Sequence, residues 1–124
     1  MNKFFLTAGT LFAAVAVICG AFGAHFLKAK LPAEGLQTFE TAVSYQFYHA
    51  FALVVTGILD KELSGKLLKR AGYLFIFGII LFSGSLYILC GTPSVKWVGA
   101  ITPFGGLCFI LGWLLLAAGC YKKN

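Results

Sequence analysis

Four stretches of this chain carry no charged side chain: residues 4–24, 41–59, 71–95 and 97–121. Each is close to or beyond the roughly 18–20 apolar residues that cross a hydrocarbon layer about 30 Å thick. Backbone N–H and C=O groups in lipid have no water to bond, so such runs are read as helices that satisfy those groups internally. Composition agrees: 60% of residues are hydrophobic and 11% charged, against roughly 25% charged in soluble domains. The sequence predicts an all-α fold, an integral-membrane four-helix bundle. It forms a single domain over residues 1–124, with helices at about 4–26, 33–59, 67–90 and 97–121.

The first run follows a short basic start, as a secretory signal does. It is longer than the roughly 7–15 residues of a cleavable apolar core, and is expected to remain as the first helix. The formal net charge is +6, but no basic helix face with interleaved aromatics exists, so a nucleic-acid partner is not expected. The distribution of cations carries more information than their sum. Lys3, Lys61, Lys66, Lys69, Arg70, Lys122 and Lys123 fall on one side of the predicted bundle; Lys28, Lys30 and Lys96 fall on the other. Cytoplasmic connections hold the excess of Lys and Arg. Seven against three predicts that both termini are cytoplasmic. Cys19, Cys90, Cys108 and Cys120 form no C-x-x-C pair and are read as small buried hydrophobes, with no metal or cofactor expected.

Small residues mark the packing surfaces. Ala16, Gly20 and Ala24 form a small-xxx-small ladder at the end of the first run, in the stretch GAFGAH that closes on His25. Such ladders let another helix approach closely. Pro32 and Glu34 suit the first turn of the second helix, and Gly65 suits the turn before the third. Ser83 and Ser85 in the third run are expected to bond back to their own helix. In the fourth, Thr102 is placed to cap a helix whose first residue is Pro103. Gly105, Gly112 and Gly119 then recur every seven residues as one smooth stripe, with Trp97 and Tyr121 as interfacial aromatics. Gly9-Thr10-Leu11-Phe12 is echoed by Gly72-Tyr73-Leu74-Phe75, as two hairpins related by duplication would be.

The densest polar cluster is residues 41–49. On a helix, Tyr45 and Gln46 lie four and three residues before His49, which puts all three on one side. Glu40, nine residues before His49, is about half a revolution away. His49 should stand about 17 Å above Asp60, near the midplane, and His25 about 33 Å above Lys3, near the outer interface. Two straight helices cannot bring both rings to one metal ion. His25 is instead expected to meet Thr102-Pro103 or Glu40. Intramembrane ionisable residues are functional candidates by default. A Tyr45–Gln46–His49 set can relay protons, or it can hold the bundle through interhelical hydrogen bonds. No H-E-x-x-H, P-loop or G-x-S-x-G motif is present, so an enzyme is not expected.

GAFGAH, Thr41-Ala42-Val43 with Tyr45-Gln46 and His49-Ala50, and Thr102-Pro103 with Gly105-Gly106 and Gly112-Trp113 together resemble one family. It is the uncharacterised membrane-protein family catalogued as domain of unknown function 423. The resemblance covers nearly the whole chain, and its blocks fall on His25, Tyr45, Gln46, His49 and the segment from Thr102 to Gly106. It implies a small multi-pass protein of the plasma membrane and no established activity. The first functional reading is a structural or assembly role among membrane lipids, with a second copy or another membrane protein as partner. The alternative is a small-solute or proton-conducting module lined by Tyr45, Gln46 and His49. Under either, His25, Glu40, Thr102, Pro103, Gly105 and Gly106 form a polar and packing site at the outer interface.

Overall fold

The computed structural model describes residues 1–63 and 65–122; Lys123, counted above among the cations, lies outside the described residues. Four helices are long and apolar enough to cross a membrane: α1 Lys3–Leu27, α2 Ala33–Leu59, α3 Lys66–Gly91 and α4 Lys96–Tyr121. No strand occurs among the described residues. The all-α, four-span expectation is met. α2 and α3 pack on each other, with α1 chiefly on α2 and α4 chiefly on α3.

Local chemistry sets the ends. Asn2 caps α1, its side-chain oxygen accepting from the Phe5 N–H at 3.0 Å, which satisfies one of the orphan donors of the first turn. The Asn2 N–H donates to the Gly57 carbonyl at 2.9 Å, tying the start of α1 to the end of α2. α2 begins right after Pro32, which takes an extended conformation, with Glu34 in its first turn. Gly65 has φ +156°, a conformation that side-chain-bearing residues rarely adopt, and it turns the chain into α3. α4 starts as a short helix, Lys96–Gly99, and resumes at Thr102–Tyr121. Thr102 does not cap this second piece. Ile101 occupies the cap position and no side chain bonds there, because the Thr102 hydroxyl is engaged with Ser85 across the bundle.

The core runs through Phe5, Leu53, Leu68, Phe75, Phe109 and Leu116, all buried. The heptad glycines of α4 are buried as a seam against α3. A Cβ on Gly112 would press on Phe75, one on Gly119 on Leu68, and one on Gly105 on the backbone of Phe82. The ladder of α1 faces α2, where Gly20 leaves room for Val43 and Gly23 for Phe39. The sequence echo is not carried into packing. Gly9 lies on Ala50 and Val54 of its hairpin partner, whereas Gly72 lies under the Phe5 ring of α1. Apolar side chains such as Leu11, Ile18, Phe22, Ile80 and Leu114 are exposed, as expected where lipid is the solvent.

Two helices contain a π-turn, Cys19–Gly23 in α1 and Ile79–Ser83 in α3. Such widened turns release a helix from strict i→i−4 bonding. The one in α3 carries Ser83 on its last residue, and that serine enters the polar site.

Candidate functional site: the intramembrane polar bridges

The middle of α2 presents two buried polar side chains, Gln46 (3% exposed) and His49 (5%). Three residues apart, they differ by about 60° around the axis. That is enough to aim them at different neighbours. The Gln46 amide nitrogen donates to the Phe12 carbonyl of α1 at 2.8 Å. Its oxygen accepts from the Tyr87 hydroxyl of α3 at 2.7 Å. One side chain thus bridges three helices, with both ends of its amide in use.

His49 turns toward α4. Its Nδ1 lies 2.7 Å from the Tyr45 carbonyl oxygen, and its Nε2 lies 3.0 Å from the Trp113 indole nitrogen. A carbonyl only accepts and an indole N–H only donates. The partners therefore select the neutral tautomer with hydrogen on Nδ1 and a lone pair on Nε2. The imidazole stacks on Phe109 with centroids 3.5 Å apart and planes 8° from parallel, and Phe75 and Trp113 close two further sides. Aromatic rings seal it.

Two hydroxyl contacts complete the framework. Ser83, the last residue of the π-turn, donates to the Ala42 carbonyl of α2 at 2.7 Å, so it bonds across the bundle and not to its own helix. Ser85 bonds back to the Phe82 carbonyl at 2.9 Å, as expected, and also pairs with the Thr102 hydroxyl. α2 is thus joined by hydrogen bonds to all three other helices, and the Ser85–Thr102 contact joins α3 to α4.

Of Tyr45, Gln46 and His49, the first and last stay neighbours, while Gln46 turns to α1 and α3. Tyr45 is 40% exposed; its ring lies against Phe82 and Phe109 and, at 6.0 Å between centroids, the His49 imidazole, and it gives His49 a main-chain carbonyl, not its hydroxyl. The outer set is dispersed as well. His25 is exposed at the end of α1 and, among the described residues, bonds neither Thr102 nor Glu40; Thr102 has taken Ser85 instead. Glu40 lines a hollow of about 270 Å³ with Gly20, Ala24, Phe39, Val43 and Ser44. Pro103 is exposed in the first turn of the second piece of α4, while Gly105 is buried in the seam and Gly106 is half-buried beside it. A larger hollow of about 520 Å³ lies between the start of α2 and the end of α3, and none of its walls is Tyr45, Gln46 or His49. The thiols split in environment: Cys90 is buried and bonds the Tyr87 carbonyl, Cys19 and Cys108 are half-buried, and Cys120 is exposed. The reading of all four as buried therefore holds only for Cys90.

Sequence reasoning missed Tyr87 and Trp113 as partners. A signal existed for Trp113, which stands inside a long apolar run, away from the interfacial belts where Tyr and Trp usually sit; Tyr87, near the end of α3, reads as an interfacial tyrosine. A buried indole N–H or phenol needs an acceptor.

A profile described as "Protein of unknown function (DUF423)" matches residues 19–106. The chain belongs to the DUF423 family. Among DUF423 relatives, a UPF0382 membrane protein of Staphylococcus saprophyticus is 48% identical over 120 residues, covering 97% of this chain and 98% of the relative. The UPF0382 membrane protein YwdK of Bacillus subtilis is 46% identical over 121 residues, at 97% and 98% coverage. One from Staphylococcus aureus is 45% identical over 120 residues, at 97% of both. No solved structure matches. The matched span contains Gln46, His49, Ser83, Tyr87 and Thr102. This DUF423 chain is a multi-pass membrane protein of unknown activity.

Proposed function

We propose that the chain is a structural membrane module, neither an enzyme nor a path for protons or solutes. The observation that carries this reading is the bonding of His49. A relay imidazole takes a proton on one nitrogen and passes one from the other. Here Nε2 faces an indole N–H and Nδ1 faces a carbonyl of its own helix, and stacked rings enclose the side chain. Neither nitrogen has a donor–acceptor partner through which a proton could continue. Gln46 likewise directs its amide nitrogen to α1 and its amide oxygen to α3. These are the bonds of a clamp.

Reconstituted vesicles under a pH gradient test this directly. Wild type and His49→Phe are both expected to leak protons no faster than empty vesicles. A flux present in wild type and abolished in His49→Phe would overturn the reading.

In the same proposal both termini face the cytoplasm at the plasma membrane, supported by the seven-to-three division of Lys and Arg. Two exposed connection residues report on it: Ser94 before α4 and Lys61 after α2. Ser94→Cys is expected to react with a membrane-impermeant maleimide in intact cells, and Lys61→Cys only after permeabilisation. The reverse pattern would sink this orientation.

A further inference from the structure

The outward face of α2 carries hydroxyls at a depth where lipid offers them nothing. Measured along the helix from Asp60, Tyr48, Tyr45 and Ser44 stand at about 18, 23 and 24 Å, within about 10 Å of the centre of a 30 Å core. Tyr48 is 58% exposed, Tyr45 is 40% exposed and Ser44 is half-buried. Among the described residues none of the three hydroxyls has a hydrogen-bond partner. Other α2 hydroxyls do: Thr38, Thr41 and Thr56 each bond back to their own helix. A lone hydroxyl in hydrocarbon is unfavourable, and tyrosine normally keeps to the interfacial belts.

A groove of about 300 Å³ runs beside this strip, lined on α1 by Ala16, Gly20 and Ala21 and on α2 by Ser44 and Tyr48 among others. Within a bilayer, helices associate by close packing over small residues and by interhelical hydrogen bonds. Both ingredients meet on this one face.

We propose that the face carrying Ser44, Tyr45 and Tyr48 binds a second copy of the chain in a parallel two-fold dimer. Copies inserted in the same direction hold each residue at the same depth. A two-fold axis along the membrane normal therefore brings these hydroxyls opposite the same set. A hydroxyl both donates and accepts, so the strip is complementary to itself, as a row of pure donors would not be. The surface also carries projection and recess side by side, the Tyr48 ring next to the small-residue groove, which a two-fold interface requires. Glu40, the next member of the row Glu40–Ser44–Tyr48, stands about 30 Å from Asp60, at the level where headgroup water reaches two facing carboxylates.

Energy transfer between donor- and acceptor-labelled full-length chains, mixed in phosphatidylcholine vesicles, tests the proposal as lipid dilutes protein. Wild type is expected to follow a monomer–dimer curve. The double variant Tyr45→Phe, Tyr48→Phe loses no bond within the chain, so its helix content and unfolding midpoint should match wild type while self-association weakens about tenfold to a hundredfold. Ala21→Leu, filling the groove, should weaken it too. Ile80→Phe, on the exposed side of α3, should not. Absence of transfer in wild type, or transfer unchanged in the double tyrosine variant, overturns the proposal; either result leaves the clamp reading intact, since that stands on proton flux.

Discussion

His49→Ala is expected to destabilise the bundle by about 3 kcal/mol, read as a lower midpoint when the protein is unfolded in mixed detergent micelles. Truncating a large buried ring to alanine costs about 3–5 kcal/mol where the cavity cannot collapse. The stacked Phe109 and the flanking Phe75 and Trp113 rings line the space on several helices at once. The Trp113 N–H also loses its acceptor, and a buried donor left unpaired costs about 1–3 kcal/mol. His49→Phe separates the two effects, because it keeps a stacking ring and removes only the ring nitrogens, the Nε2 acceptor of Trp113 and the Nδ1 donor to the Tyr45 carbonyl. It should cost about 1–2 kcal/mol. Adding Trp113→Phe to that background should cost less than Trp113→Phe in wild type, since the orphaned N–H goes with it. The expected coupling is about 0.5–1.5 kcal/mol. Strict additivity would show that the His49–Trp113 bond carries no energy.

The four helices were legible because membrane spans announce themselves through length and the absence of charge, and no tertiary partner is needed to see either. The glycine stripe was legible for a similar reason: residues 105, 112 and 119 repeat with a helix-seam period, whatever lies opposite. The polar site was half legible. Gln46 and His49 stand out as polar residues in an apolar run, but their partners are a main-chain carbonyl at Phe12, a phenol at Tyr87 and an indole at Trp113. No local pattern pairs residues 34, 41 and 64 positions apart in the chain. Treating Tyr45, Gln46 and His49 as one face was too coarse. A spacing of three residues still leaves about 60° between side chains, and in a four-helix bundle that angle selects a different neighbour. The π-turn in α3 was not legible, and neither was the bond from Ser83, its last residue, to the Ala42 carbonyl of α2. Thr102 could be read as a cap from local sequence, yet the hydroxyl of Ser85 outcompeted the helix end.

Gly105→Ala should be the most damaging single methyl in α4. The added Cβ meets the backbone nitrogen and Cα of Phe82, and a helix backbone has no rotamer with which to yield. α4 must move off α3 at the π-turn, loosening the Ser85–Thr102 contact with it. Overpacking of this kind costs about 1–3 kcal/mol, and the rigid obstacle puts Gly105 at the upper end. Gly119→Ala meets chiefly the tip of the Leu68 side chain, which can rotate, so about 1 kcal/mol is expected there. A methyl added at Gly84 would meet nothing within 4 Å. Because that glycine lies in a helix, Gly84→Ala should stabilise by about 0.5–1 kcal/mol through helix propensity alone. The midpoints in mixed micelles should therefore rank Gly84→Ala above wild type, then Gly119→Ala, then Gly105→Ala. If Gly105→Ala matches Gly84→Ala, α4 does not rest on the widened turn of α3, and the seam that aligns Trp113 with His49 is set elsewhere.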